Sequence, residues 1–157
     1  MKKKSPRQDA EDIERAVYDG MQDLRAPPPL PRVRLNHTIV HSRDKRAAAQ
    51  FFSEVFGLAA PKPFGPFLDV HTANEVTLAF LDHDKPEMQH YAFLVGEAEF
   101  DAIFGRVKAR GLAYWADPGQ REKGKINRHY GGRGVYFEDP SGHLLEIITR
   151  PYGDELP

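Results

Sequence analysis

The chain has 157 residues, with 22 Lys and Arg against 23 Asp and Glu, seven His and no Cys. Without cysteine there are no disulfides, thiolate nucleophiles, iron–sulfur clusters or cysteine-based zinc sites, so any metal must be held by nitrogen and oxygen. A formal net charge of −1 lacks the basic excess of a nucleic-acid surface, and no apolar run approaches the ~20 residues that span a bilayer, so a small-molecule partner is expected, with no nucleic acid and no membrane.

The N-terminus, Met1-Lys2-Lys3-Lys4, runs into polar residues rather than an apolar signal core, and the expected location is cytoplasmic. From Asp9 to Leu24, Ile13, Val17, Met21 and Leu24 form one helical stripe on a charged segment, with Asp9 as N-cap. The run Ala26-Pro27-Pro28-Pro29-Leu30-Pro31 stops that helix, because proline lacks the amide proton and fixes φ. Residues 1–32 are therefore read as an amphipathic helix and a proline-rich linker outside the main domain.

Beyond the linker the sequence repeats itself. Asn36-His37-Thr38-Ile39-Val40 has a strand pattern, and a helical stretch from Asp44 through Phe51, Phe52 and Val55 follows and ends at Gly57. Gln89 to Val95 is again a strand pattern, followed by a helical stretch with Phe100, Ile103, Phe104 and Val107 that ends at Gly111. Each unit continues in short β-like runs: Phe67–Val70 and Val76–Leu81 in the first, Ala113–Trp115, Val135–Phe137 and His143–Thr149 in the second. A further strand near Ala59-Ala60, weakly marked, completes the first unit. Both units read β-α-β-β-β, and neither can cover both faces of its sheet alone.

Strand side chains alternate between faces, so His37, Ile39 and His41 share one side of their strand, and His90, Ala92 and Leu94 share one side of the equivalent strand. In the last strand Leu144, Glu146 and Ile148 share a face. A carboxylate flanked by apolar residues on a core-facing stripe is costly to bury unless paired or bound to a metal. His37, His90 and Glu146 form a three-donor set suited to a borderline divalent ion with open coordination positions. Aligned with Glu146, the first unit has Ala79, so its carboxylate is missing.

These strands, with the terminal run from Gly132 through Asp139-Pro140-Ser141-Gly142 to Glu146, resemble the vicinal oxygen chelate superfamily, which includes glyoxalase I, bleomycin-resistance proteins, fosfomycin-resistance enzymes and extradiol dioxygenases. The series Asn127, His129, Val135, Tyr136, Asp139, Pro140, Gly142 and Glu146 is similar to the signature of type I extradiol dioxygenases. That resemblance implies iron ligands at His37, His90 and Glu146, with His129 a hydrogen-bond donor behind them and Tyr136 in contact with the catecholate. The implied fold is α+β: two paired βαβββ modules forming a curved mixed sheet around a metal cleft, with an N-terminal helical extension. The domain is placed at 33–152, module one at 33–83 and module two at 87–152, with a tail at 153–157.

The implied activity is that of a metal-dependent dioxygenase on a catechol-like or other vicinal-oxygen molecule. Fe(II) is the favoured cofactor, with Mn, Ni or Zn as alternatives, and a homodimer is expected. A glyoxalase-type lyase or isomerase using Ni, Zn or Mn is the second reading, and would need a fourth ligand from water or from a carboxylate such as Glu75 brought in by a register shift. A non-catalytic antibiotic-binding protein is the third. His83 reads as a solvated turn residue, and His143 as facing outward. The loop Asp117–Gly132, rich in Gly and charge, lies beside the cleft, with His129 and Tyr130 nearest the signature.

Overall fold

The computed structural model describes residues 33–153; the expected helix Asp9–Leu24 and the proline linker lie outside the described residues. Strand β1 (His37–Ser42) leads into helix α1 (Lys45–Phe56). Asp44 starts the helix by accepting the amide protons of Arg46 and Ala47 at 2.9 and 3.0 Å, and Gly57 ends it at φ 72°, in the left-handed region that glycine enters without strain. Strands β2 (Lys62–Phe64), β3 (Phe67–His71) and β4 (Thr77–Asp82) complete the first module. The second repeats the order with β5 (His90–Leu94), α2 (Glu97–Ala109), β6 (Tyr114–Trp115), β7 (Gly134–Glu138) and β8 (Leu144–Ile148).

The two sheets have the same topology, β1-β4-β3-β2 and β5-β8-β7-β6. In each, the first strand runs parallel to the last and the other pairs are antiparallel. Strand β2 falls a few residues after Ala59-Ala60. It carries Pro63 between Pro61 and Pro66, which an edge strand tolerates because its outer amides need no partner.

One hydrophobic core serves both modules. Val40, Val70, Leu78 and Phe80 from the first sheet, Val135, Phe137, Leu145 and Ile147 from the second, and Phe52, Val55, Phe100, Ile103 and Val107 from the helices belong to it. The ring of Phe93 packs edge-on against Phe52 and Phe56, at 5.2 and 4.8 Å between centroids. Arg106 Nε donates to the Val55 carbonyl at 2.7 Å, tying α2 to α1. Each sheet therefore turns its helix-side face inward, and alternation sends His37, Ile39, Asp69 and Ala79 of the first sheet, and His90, Ala92, Tyr136 and Glu146 of the second, to the faces away from that core.

His143 does not face outward as its alternation suggests; it is buried. It lies in the turn before β8, where strand alternation does not yet apply. Its Nε2 donates to the His41 carbonyl of the first module at 2.7 Å, and its Nδ1 accepts from the Gln89 amide at 3.1 Å. Beside it, Ser141 Oγ accepts the Arg43 amide at 3.2 Å. His143→Ala would leave the partly buried His41 carbonyl and Gln89 amide without this partner and open a cavity, so we expect a loss of roughly 2 kcal/mol in unfolding free energy; urea titration measures it, and Ser141→Ala should cost far less.

Candidate metal centre

Glu146 lies on β8 opposite Ala92 of β5 and Tyr136 of β7, and it is fully buried. A buried carboxylate without partners is costly, and both of its oxygens have them. The Tyr152 hydroxyl donates a short hydrogen bond to Oε1, while His90 Nε2 lies 3.2 Å from Oε2. The Tyr136 and Tyr152 hydroxyls are 2.9 Å apart. Since the single Tyr152 proton is given to the carboxylate, Tyr136 donates to the Tyr152 oxygen. Burial, and then the Glu146 carboxylate, push the Tyr136 phenol far above the ordinary tyrosine range; the same causes push Tyr152 up to about 12. Both hydroxyls keep their protons at neutral pH.

His90 presents a more demanding arrangement. Its Nδ1 is 3.1 Å from the Leu144 carbonyl oxygen, which only accepts, so Nδ1 carries the proton. In the neutral ring Nε2 is then a lone pair, and it faces the second lone pair of Oε2. Two acceptors that close repel unless a proton or a cation lies between them. Adjacent ligands held about 2.1 Å from a divalent ion are about 3.0 Å apart, close to the separation observed. Imidazole nitrogen and carboxylate oxygen are a donor set for a borderline ion, so this pair fits a metal.

The loop after β6 brings His129 and Tyr130 to the same region. They stand in a short 3₁₀ turn, His129–Gly131, and with Tyr136 and Tyr152 they line a cleft of about 490 Å³. Asn127 anchors this loop: its backbone pairs with Gly134, and its side-chain amide donates to the Ala116 carbonyl at 2.9 Å. Gly134 leaves room for this approach, since a Cβ there would sit 2.6 Å from Asn127 Oδ1. Earlier in the loop Arg121 and Lys125 form ion pairs with Asp117 and Glu122, and solvated surface is the fitting description of that part.

His37 is elsewhere. Its Nδ1 lies 2.9 Å from Asn36 Oδ1, and it lines a separate hollow of about 320 Å³ with Ile39, Phe64, Phe67, Asp69 and Ala79, to which module two contributes nothing. Among the described residues no three His, Asp or Glu side chains gather into a metal-binding group. The sequence-derived set is thus split within one chain: His90 and Glu146 together, with Tyr136 beside them and His129 at the mouth, and His37 on the other module's outward face.

The register places Ala79 opposite Ile39, two residues after His37, as Glu146 stands opposite Ala92, two residues after His90. Glu75 lies before β4 with a φ of 65° and does not take that place. His83 is exposed, accepts the Lys85 amide and stacks on His41. Two residues escaped the sequence reading. Tyr152 follows the last strand, where no periodicity signals its return to Glu146. Asp69 was legible in principle, because it alternates with Leu68 and Val70 on β3.

The comparisons agree with the fold. The family model of the Glyoxalase/Bleomycin resistance protein/Dioxygenase superfamily matches residues 34–147. Two solved structures, oxidases ChaP-H1 and ChaP-H2, are 60% and 54% identical to this chain, each with a TM-score of 0.76; they cover 77% and 78% of it and 98% of their own chains. Metallothiol transferase FosB of Shouchella clausii is 30% identical over 129 residues, 78% of this chain and 84% of that protein. Superfamily members are mostly metal-dependent enzymes. With two βαβββ modules in the same topology and a match spanning both, the chain belongs to the Glyoxalase/Bleomycin resistance protein/Dioxygenase superfamily.

Proposed function

We propose that the chain is a non-heme Fe(II) oxidoreductase that uses dioxygen on a catechol-like small molecule, by extradiol-type cleavage. In this reading it works as a homodimer whose site takes His90 and Glu146 from one copy and His37 from the other. The observation that carries it is the 3.2 Å approach of His90 Nε2 to Glu146 Oε2, with His90 Nδ1 turned to the Leu144 carbonyl. The name oxidase on structures 60% and 54% identical to this chain supports redox chemistry. Two nitrogens and one carboxylate leave positions for a chelating diolate and dioxygen. A glyoxalase-type lyase would need a fourth protein ligand where Ala79 stands.

When bound, iron supplies Lewis acidity and electrons for dioxygen chemistry. The protein's residues do the rest. Tyr152 and Tyr136 hold Oε1 of Glu146, leaving Oε2 as the donor oxygen, and the Leu144 carbonyl fixes the His90 tautomer. His129 reaches the cleft as a hydrogen-bond donor to the substrate. Tyr130 and Tyr152, with ring centroids 5.4 Å apart, offer a half-exposed aromatic surface in the cleft on which a flat ring can pack.

Anaerobic loading with Fe(II) followed by oxygen-uptake measurements over a panel of catechols tests the activity. Stoichiometric iron and ring-opened product are expected; a protein that binds no divalent metal would sink the reading. The subunit arrangement has its own test. His37→Ala and Glu146→Ala should each be inactive alone, yet mixing them through unfolding and refolding should restore roughly a quarter of the wild-type sites, since half the dimers are mixed and each has one intact site. No recovery would place all three ligands in one chain. Tyr152→Phe should weaken Fe(II) binding about tenfold or more, read by competition with a chromogenic chelator, with little change in melting temperature.

A further inference from the structure

Strand β3 carries Asp69 to the outward face of the first sheet, opposite Ala79 on β4 and Lys62 on β2. The first module therefore does hold a carboxylate on the His37 face, one strand over from the position where the repeat lost it. Its Oδ1 is buried and has no hydrogen-bond partner, which is expensive for a group that accepts strongly. The hollow it shares with His37 is walled by Ile39, Phe64 and Phe67. Asp69 is itself one of the lining residues, so a hydroxyl that enters meets a carboxylate with no protein donor among the described residues, and the apolar walls suit a ring that bears that hydroxyl.

We propose that Asp69 is a further catalytic residue: the carboxylate it brings to the wall of the His37 hollow accepts the hydrogen bond, and then the proton, of a substrate hydroxyl that enters there. This rests on the metal-dependent reading above and adds the base to it. In the step, the substrate O–H bond breaks, its electron pair stays on the substrate oxygen, and the proton forms an O–H bond at the Asp69 carboxylate. The resulting oxyanion is the form that chelates a divalent ion. Phe64 and Phe67 flank the ring while His37 stands on the same face.

Anaerobic Fe(II)-loaded protein titrated with 4-nitrocatechol tests this, because the visible spectrum of that ligand reports its ionisation. Wild type is expected to bind the ionised form. Asp69→Asn should bind iron as wild type does, bind 4-nitrocatechol between about tenfold and a hundredfold more weakly, and show a spectrum shifted toward the protonated form. Asp69→Glu should recover part of both. Equal affinity and an unchanged spectrum in Asp69→Asn would overturn the assignment. Loss of iron from that variant with its fold intact would instead make Asp69 a ligand and also overturn it. Wild-type protein that binds iron but no catechol would overturn the catechol reading, and this step with it.

Discussion

A fully buried carboxylate on β8 constrains everything around it. Glu146 lies on β8 between β5 and β7, and its neighbours Leu145 and Ile147 point from the opposite face of β8 into the common core. A slip of one residue in the pairing of β8 would exchange them, driving the charge among phenylalanines. The turn before the strand prevents this. Asp139 Oδ1 accepts the amides of Ser141 and His143, both at 2.8 Å, and Gly142 takes a φ of 89° that other residues rarely adopt. The short sequence Asp139-Pro140-Ser141-Gly142 thus fixes where the carboxylate points, and the ring of His90 and the two tyrosine hydroxyls meet it there.

The second constraint is the shared core. Because both sheets turn their helix-side faces into one common core, both outward faces are left for ligands, and they belong to different modules. His143 and Ser141 tie the turn before β8 to the end of β1 and the residue after it, so this arrangement rests on hydrogen bonds as well as apolar packing. Bringing His37 to Glu146 within one chain would require breaking both.

Much of this was written in local patterns. The repeat shows in the order strand, helix, glycine, and the equivalence of His37 with His90 follows from it, as does the absence of a carboxylate at Ala79. Strand β2 was faint because its prolines resemble a loop; only its place at a sheet edge makes them acceptable. His143 stands one residue before β8 begins, where strand alternation does not set the face. Which faces of two modules pack together is a tertiary choice, with no imprint in the periodicity of either, so the separation of His37 from Glu146 could not be read in advance. Tyr152 depends on a contact between elements, which spacing along one element does not encode, whereas Asp69 is marked by its alternation with Leu68 and Val70 on β3.

The divergence of the two modules has a physical logic. On the second sheet's outward face, Leu144, Glu146 and Tyr136 are buried, the latter two under the turn that carries Tyr152. On the first sheet's outward face, Ile39 remains 44% exposed and Phe64 70% exposed, and one oxygen of Asp69 goes unsatisfied. One face holds donors for a metal but too few of them; the other has apolar surface and a lone imidazole but no carboxylate beside it in the repeat position. Exposed apolar patches next to an unpaired polar atom mark a surface that meets something. The two deficits are complementary, and in the proposed dimer each copy would cover the other's exposed face while supplying the ligand that it lacks.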